Sequence, residues 1–244
     1  MNSDIIFGRN PVLEAIRAGR EIDKIYIKNT EADGSLKKVL GAAKAAKIIV
    51  SRADRKKLDA LCEGENHQGV VAVAAARDYC SVDDILKVAA EKGEEPFVVI
   101  CDKISDPHNL GSIIRTANAA GAHGVIIPKH ESAGLSATVA KVSAGAIEFT
   151  PVARVNSLPS VIENLKKKGF WVTGAAMGGE RSIFDADLSG SVALVIGSEG
   201  SGISRSVLEK CDFVVSIPMK GETESLNASV AAALLMYEVM RRRM

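Results

Sequence analysis

Residues 96–102 read PFVVICD, and residues 103–122 continue as KISDPHNLGSIIRTANAAGA. The first string is an apolar run of strand length without polar alternation, the pattern of a strand buried on both faces. The second turns polar at once and then settles into a helical pattern. Toward the C-terminus the same exchange recurs, with candidate strands at Phe97–Cys101, Gly124–Ile127, Phe170–Gly174, Ala193–Ile196 and Phe213–Ile217. Helical patterns fall between them, and a last one runs from Leu226 to Arg242. Such alternation predicts an α/β fold with a mostly parallel sheet covered by helices on both faces.

Toward the N-terminus the pattern is a smaller version of the same kind. A helix at Pro11–Ala18, a strand KIYI, a helix through LKKVLGAAKAA, a strand KIIVS and a final run GVVAVAA predict a small α/β unit over residues 1–76. Residues 77–95 carry both signs of charge around a short helical pattern at Val82–Ala90 and read as a linker. The expected domains are therefore 1–76 and 96–244, and no internal repeat or low-complexity tract interrupts them.

Composition narrows the function classes. With 244 residues, 47% hydrophobic and 25% charged, the chain has the apolar material for a globular core. No apolar run approaches the roughly 20 residues that cross a bilayer. The start MNSDIIFGRN lacks the basic and apolar regions of a signal peptide. A cytoplasmic protein without membrane partners is expected. Cys62, Cys80, Cys101 and Cys211 form no CxxC pair and have no histidine at metal-ligand spacing. They read as reduced thiols, with no metal site. The net charge is +1, but residues 1–76 hold 13 Lys and Arg against 10 Asp and Glu, a lean toward RNA in that half.

In an open α/β sheet ligands gather at the carboxyl ends of the strands, so the residues just past each apolar run are the informative ones. After PFVVICD, Arg115 stands in a helix among small residues and can point into a cleft; a surface ion pair explains the same spacing. After VALVIG comes SEGSGIS, whose Gly197, Gly200 and Gly202 permit backbone angles closed to other residues and close ligand approach. A phosphate loop has similar composition, but Glu199 argues against phosphate. After FVVSIPM comes KGETESLNASVAAALLM, where Ser225 or Asn227 is suited to cap the last helix, worth about 1 kcal/mol. His108 has no visible partner and reads as incidental. No GxGxxG opens a helix and no GxxxxGK[ST] loop occurs, which counts against a nucleotide-dependent enzyme.

Together the three loops resemble the three motifs of the SpoU/TrmH family of RNA 2′-O-methyltransferases, in the SPOUT class. Asn109 and Arg115 in NLGSIIRTA match the first motif, Gly197 and Glu199 in IGSEGSGIS the second, and Ser225, Leu226 and Asn227 in IPMKGETESLNASVAAAL the third. The N-terminal strings IFGRNPVLEAI and NHQGVVAVA resemble the L30e-like substrate-binding domain of bacterial 23S rRNA guanosine 2′-O-methyltransferases. The resemblance implies a trefoil-knot methyltransferase domain behind a small L30e-like domain, and a homodimer with its active site near the subunit interface. It implies S-adenosylmethionine as cofactor, held at Gly197, Ile217, Ser225 and Leu226. The catalytic set it implies is Asn109, Arg115, Glu199 and Asn227, with Glu199 able to fix the Arg115 guanidinium by a bidentate pair. Arg115 acts in this reading as a base or as a stabiliser of the developing alkoxide; a free guanidinium is almost never deprotonated, which favours the latter. The implied substrate is a guanosine of 23S rRNA. A tRNA 2′-O-methyltransferase and a noncatalytic RNA-binding protein are the alternatives.

Overall fold

A computed structural model describes residues 5–30, 33–223 and 225–244. They form two compact units, residues 5–78 with 134–137, and residues 79–133 with 138–244.

The first unit runs β1 (Ile5–Phe7), α1 (Arg9–Arg17), β2 (Ile22–Lys28), α2 (Gly34–Ala45), β3 (Ile49–Ala53), α3 (Arg55–Leu61) and β4 (Val70–Ala74). Its sheet has the order β1-β4-β2-β3, with β2 and β3 parallel and β4 antiparallel to both of its neighbours. Val12, Ile25, Leu36, Val39 and Val70 fill its core. Both β1 and α3 escape the sequence reading, because three residues or two turns carry too little periodicity. Asp33 and Asp54 cap α2 and α3, accepting Leu36 N–H at 3.1 Å and Lys57 N–H at 2.8 Å.

The second unit runs α4 (Val82–Lys92), β5 (Phe97–Cys101), α5 (Pro107–Ala119), β6 (Gly124–Pro128), α6 (Ala137–Val142), β7 (Val152–Val155), α7 (Leu158–Lys167), β8 (Trp171–Ala175), β9 (Arg181–Ser182), β10 (Val192–Ile196), α8 (Arg205–Leu208), β11 (Phe213–Ser216) and α9 (Ala228–Arg243). Seven strands lie in the order β7-β6-β5-β10-β8-β11-β9, every pair parallel. Each residue of β5 and β10 is buried, as the unbroken apolar strings predict for central strands of a parallel sheet. Val98 and Ile100 face a cluster with Ile85 of α4 and Leu158, Ile162 and Leu165 of α7. The alternate residues Phe97, Val99 and Cys101 face the other side, where α5 and α9 pack together and α9 meets β10.

The stretch read as a linker is largely structured. A capping box opens α4, with Ser81 Oγ accepting Asp84 N–H and Asp84 Oδ2 accepting Ser81 N–H, both at 3.1 Å. Ile85 and Ala89 of α4 are buried in the second unit's core. Of the charges in 77–95 that suggested a connector, Asp83, Lys87, Glu91 and Lys92 form the exposed face of this amphipathic helix. Strand β7 escaped the sequence reading because Arg154 interrupts it.

Candidate active site

Strands β8, β10 and β11 end side by side, and the loops leaving them enclose a cavity of about 380 Å³. Gly197, Ile217, Ser225 and Leu226 all line it, with Ile196 and Val215 adding apolar wall. The glycine-rich loop folds back on itself as a tight turn, Ser198 N–H donating to Gly202 O at 3.1 Å and Gly202 N–H to Ser198 O at 2.9 Å. Gly202 takes the left-handed conformation, φ +63°. A Cβ at position 197 would lie 2.2 Å from Gly202 C and 2.3 Å from Ile203 N. Gly197 is thus required by the close return of its own loop, and it also lines the cavity.

At the rim of this cavity the three motifs meet. Asn109, in the first turn of α5 and nearly buried, donates through Nδ2 to Glu199 Oε1 at 3.1 Å. Asn227 Nδ2 donates to Asn109 Oδ1 at 2.9 Å and also to Glu199 Oε1. Ala228 N–H reaches the same carboxylate oxygen at 3.2 Å. The Asn227 amide is fixed from its other side, Oδ1 capping α9 through Ser229 N–H at 2.9 Å and Val230 N–H at 3.3 Å. One side chain therefore both caps α9 and joins the network with Asn109 and Glu199. Three loops distant in sequence are locked at one carboxylate oxygen, and Glu199 Oε2 takes no hydrogen bond from the described residues.

Arg115 departs from expectation. It is exposed on α5, and no described residue pairs with it, so Glu199 does not fix its guanidinium. The reason is helical geometry: six residues beyond Asn109, Arg115 is turned about 120° away from it around the axis. His108 is exposed, and its backbone N–H donates to Asp106 Oδ1 at 3.0 Å.

One residue of the site went unread. Asp102, directly after β5, is 4% exposed, and its Oδ2 accepts Ser204 N–H at 2.6 Å. It ties the end of the glycine-rich loop to the central strand. Its signal is an acid set immediately behind a wholly apolar strand, where a buried carboxylate must find a donor. The cysteines take no part: burial pushes the Cys101 thiol up to about 12 and the Cys211 thiol up to about 11.

The first unit has its own basin, about 890 Å³, among residues 9–10, 28–30, 35, 54–55, 58 and 67–69. Arg9 is held there by Asp33 at 2.8 Å and by Gln68 O at 3.0 Å. Lys28 and Asn10 also line it.

Residues 96–237 match the SpoU rRNA Methylase family. The chain belongs to that family. Residues 5–80 match a second family, described as RNA 2′-O ribose methyltransferase substrate binding. The TrmH family tRNA/rRNA methyltransferase YacO of Bacillus subtilis (strain 168) is 48% identical over 240 residues, covering 98% of this chain and 96% of that one. A TrmH family relative in Staphylococcus saprophyticus is 46% identical over 245 residues, covering 100% and 97%. Among solved structures, the SpoU methyltransferase AviRb from Streptomyces viridochromogenes, in complex with AdoMet, superposes with a TM-score of 0.62 at 28% identity, covering 98% of this chain and 90% of that one. As a SpoU methylase the chain is an S-adenosylmethionine-dependent RNA (ribose-2′-O)-methyltransferase. The cavity fits that cofactor, since its apolar walls suit the faces of an adenine and its looped backbone offers amide and carbonyl groups to polar atoms.

Proposed function

We propose that this SpoU methylase methylates the ribose 2′-hydroxyl of a guanosine in 23S rRNA, with residues 1–76 binding RNA and residues 96–244 carrying the chemistry. The observation that carries the reading is the Asn109–Glu199–Asn227 network at the mouth of the cofactor-sized cavity. Bound in that cavity, S-adenosylmethionine supplies an electrophilic methyl group on a sulfonium sulfur. What the protein adds is alignment, charge and exclusion of water. Gly197, Ile217, Ser225 and Leu226 hold the cofactor through their backbone and apolar surfaces. Asn109 and Asn227 keep Glu199 oriented, leaving Oε2 toward the acceptor ribose. Arg115, charged and unpaired among the described residues, grips an RNA phosphate and stabilises the oxygen as its proton departs to water or phosphate.

The same reading includes a trefoil knot, a cytoplasmic location and a homodimer with the active site near its interface. The dimer is supported by α9, which leaves Val230, Leu234 and Tyr237 between 41% and 48% exposed at helical spacing on one face. A substrate-binding match over residues 5–80 supports the RNA partner. Mapping 2′-O-methyl groups in ribosomal and transfer RNA from a strain lacking the protein tests the substrate. Loss of one guanosine methyl in 23S rRNA is the expected result, and loss confined to tRNA would replace it with the tRNA reading.

A further inference from the structure

Beside the cofactor cavity lies a second one, about 460 Å³, lined by more charged side chains. The two share the turn Ser198–Ser201 as a common wall. Both mix polar and apolar surface and share Glu199, but the second adds Lys103, Ser105, Asp106, Asn109 and Glu131. In-line transfer requires acceptor and donor atoms about 3–3.5 Å apart, so an acceptor must occupy a space that adjoins the cofactor's. This polar cavity adjoins it, and the network of Asn109 and Glu199 stands at the junction.

Its outer walls are built to hold two side chains against each other. Lys103 and Glu131 are non-glycine residues at φ 59° and 56°, a conformation that costs energy and persists only where the surroundings impose it. The two loops are stitched together at the buried Ile104, whose carbonyl accepts Ala133 N–H at 2.8 Å and Ser132 Oγ at 3.3 Å. The result is an ammonium and a carboxylate 3.4 Å apart, their side chains 39% and 71% exposed. An open pair of this kind exchanges its mutual contact for hydrogen bonds to a ligand at small cost.

We infer that this cavity receives the base of the target nucleotide, and that Lys103 and Glu131 select guanine. Guanine presents two adjacent donors, N1–H and the N2 amine, next to the O6 acceptor; a carboxylate takes the first two and an ammonium serves the third. Adenine, cytosine and uracil each offer a single donor group on that edge, so none fills both partners as fully. The inference rests on the proposed ribose methylation and adds the residues that choose the base.

The test uses the full-length protein, tritiated S-adenosylmethionine and total RNA from a strain lacking the protein, with digestion of the product to nucleosides. The wild type should yield 2′-O-methylguanosine. Lys103→Met and Glu131→Gln should raise KM for RNA roughly 10- to 100-fold while cofactor affinity, which also reports an intact fold, stays within about twofold. A labelled nucleoside with another base overturns the guanine assignment. Wild-type KM in both variants overturns the cavity as the base site. No transfer to any RNA by cofactor-bound wild type overturns the underlying substrate reading and this inference with it.

Discussion

At the scale of single residues, Asn109, Glu199 and Asn227 hold one another, whereas Arg115 pairs with no described residue. Arg115 is exposed and forms no ion pair or hydrogen bond through its side chain with the described residues, so removing it should leave fold and cofactor binding unchanged. Arg115→Ala should nonetheless lose at least about 100-fold in single-turnover methylation, the scale of one preorganised electrostatic group. Arg115→Lys should be severely impaired too, because an ammonium lacks the planar fork that spans a phosphate and a hydroxyl. Activity of Arg115→Ala within a few-fold of wild type would return the residue to an ordinary surface role. Asn227 allows a sharper dissection, since one amide serves both a helix cap and the network. Asn227→Ser keeps an oxygen at the cap and should melt near wild type, yet lose activity through the missing Nδ2 donor to Asn109 and Glu199. Asn227→Ala should lose activity and about 1 kcal/mol of stability as well. Melting curves beside methylation assays distinguish the two variants.

At the scale of elements, the central strands were readable because burial on both faces leaves an unbroken apolar string, and Phe97–Cys101 is such a string. Three motif loops were readable because their residues sit where parallel strands end. What the sequence could not convey was which atoms meet. Glu199 could equally have paired with Arg115, and only the 120° turn of α5 between positions 109 and 115 decides otherwise. Asp102 has no periodic signal, only its place behind an apolar strand, and the close loop return that requires glycine at 197, in the cavity wall, is a tertiary fact. Gly197→Ala should therefore abolish cofactor binding by displacing the turn, measurable by calorimetry, while the strands stay folded. His123 carries a pH dependence of the same local kind. Its Nδ1 accepts Phe97 N–H at 3.0 Å and its Nε2 meets Glu94 at 3.0 Å, and burial lowers its pKa from 6.5 despite the opposing Glu94. A lowered folded pKa means stability that is complete above about pH 6.5 and lost as pH falls through the folded value. Thermal midpoints should drop on going from about pH 7.5 to about pH 5.5, with a smaller drop in His123→Gln; equal slopes would remove His123 as the cause.

At the scale of the whole molecule, the question is where the catalytic unit begins, and the structure answers differently from the motifs. The matching family region starts at residue 96, yet α4 lies upstream and its Ile85 is fully buried in the same core as Val98, Ile100 and Ile126. A Cβ at Gly124 would come 2.7 Å from the Ile85 side chain, so β6 and α4 pack as closely as a core allows. Cys80 extends the attachment, its N–H donating to Val152 O at 3.0 Å beside β7. Cutting at residue 96 removes this helix and leaves the β5–β6 surface uncovered, which by analogy with large-to-small core changes costs at least about 3 kcal/mol. Cutting at residue 79 keeps α4 and removes the first unit except residues 134–137. The fragment 79–244 should thus fold cooperatively and bind S-adenosylmethionine with close to full-length affinity, while methylating RNA poorly for want of the RNA-binding unit. The fragment 96–244 should melt at a distinctly lower temperature or fail to fold. Calorimetric titration and melting of both fragments decide the matter: equal stability would show that α4 is dispensable, and full RNA methylation by 79–244 would show that the first unit is.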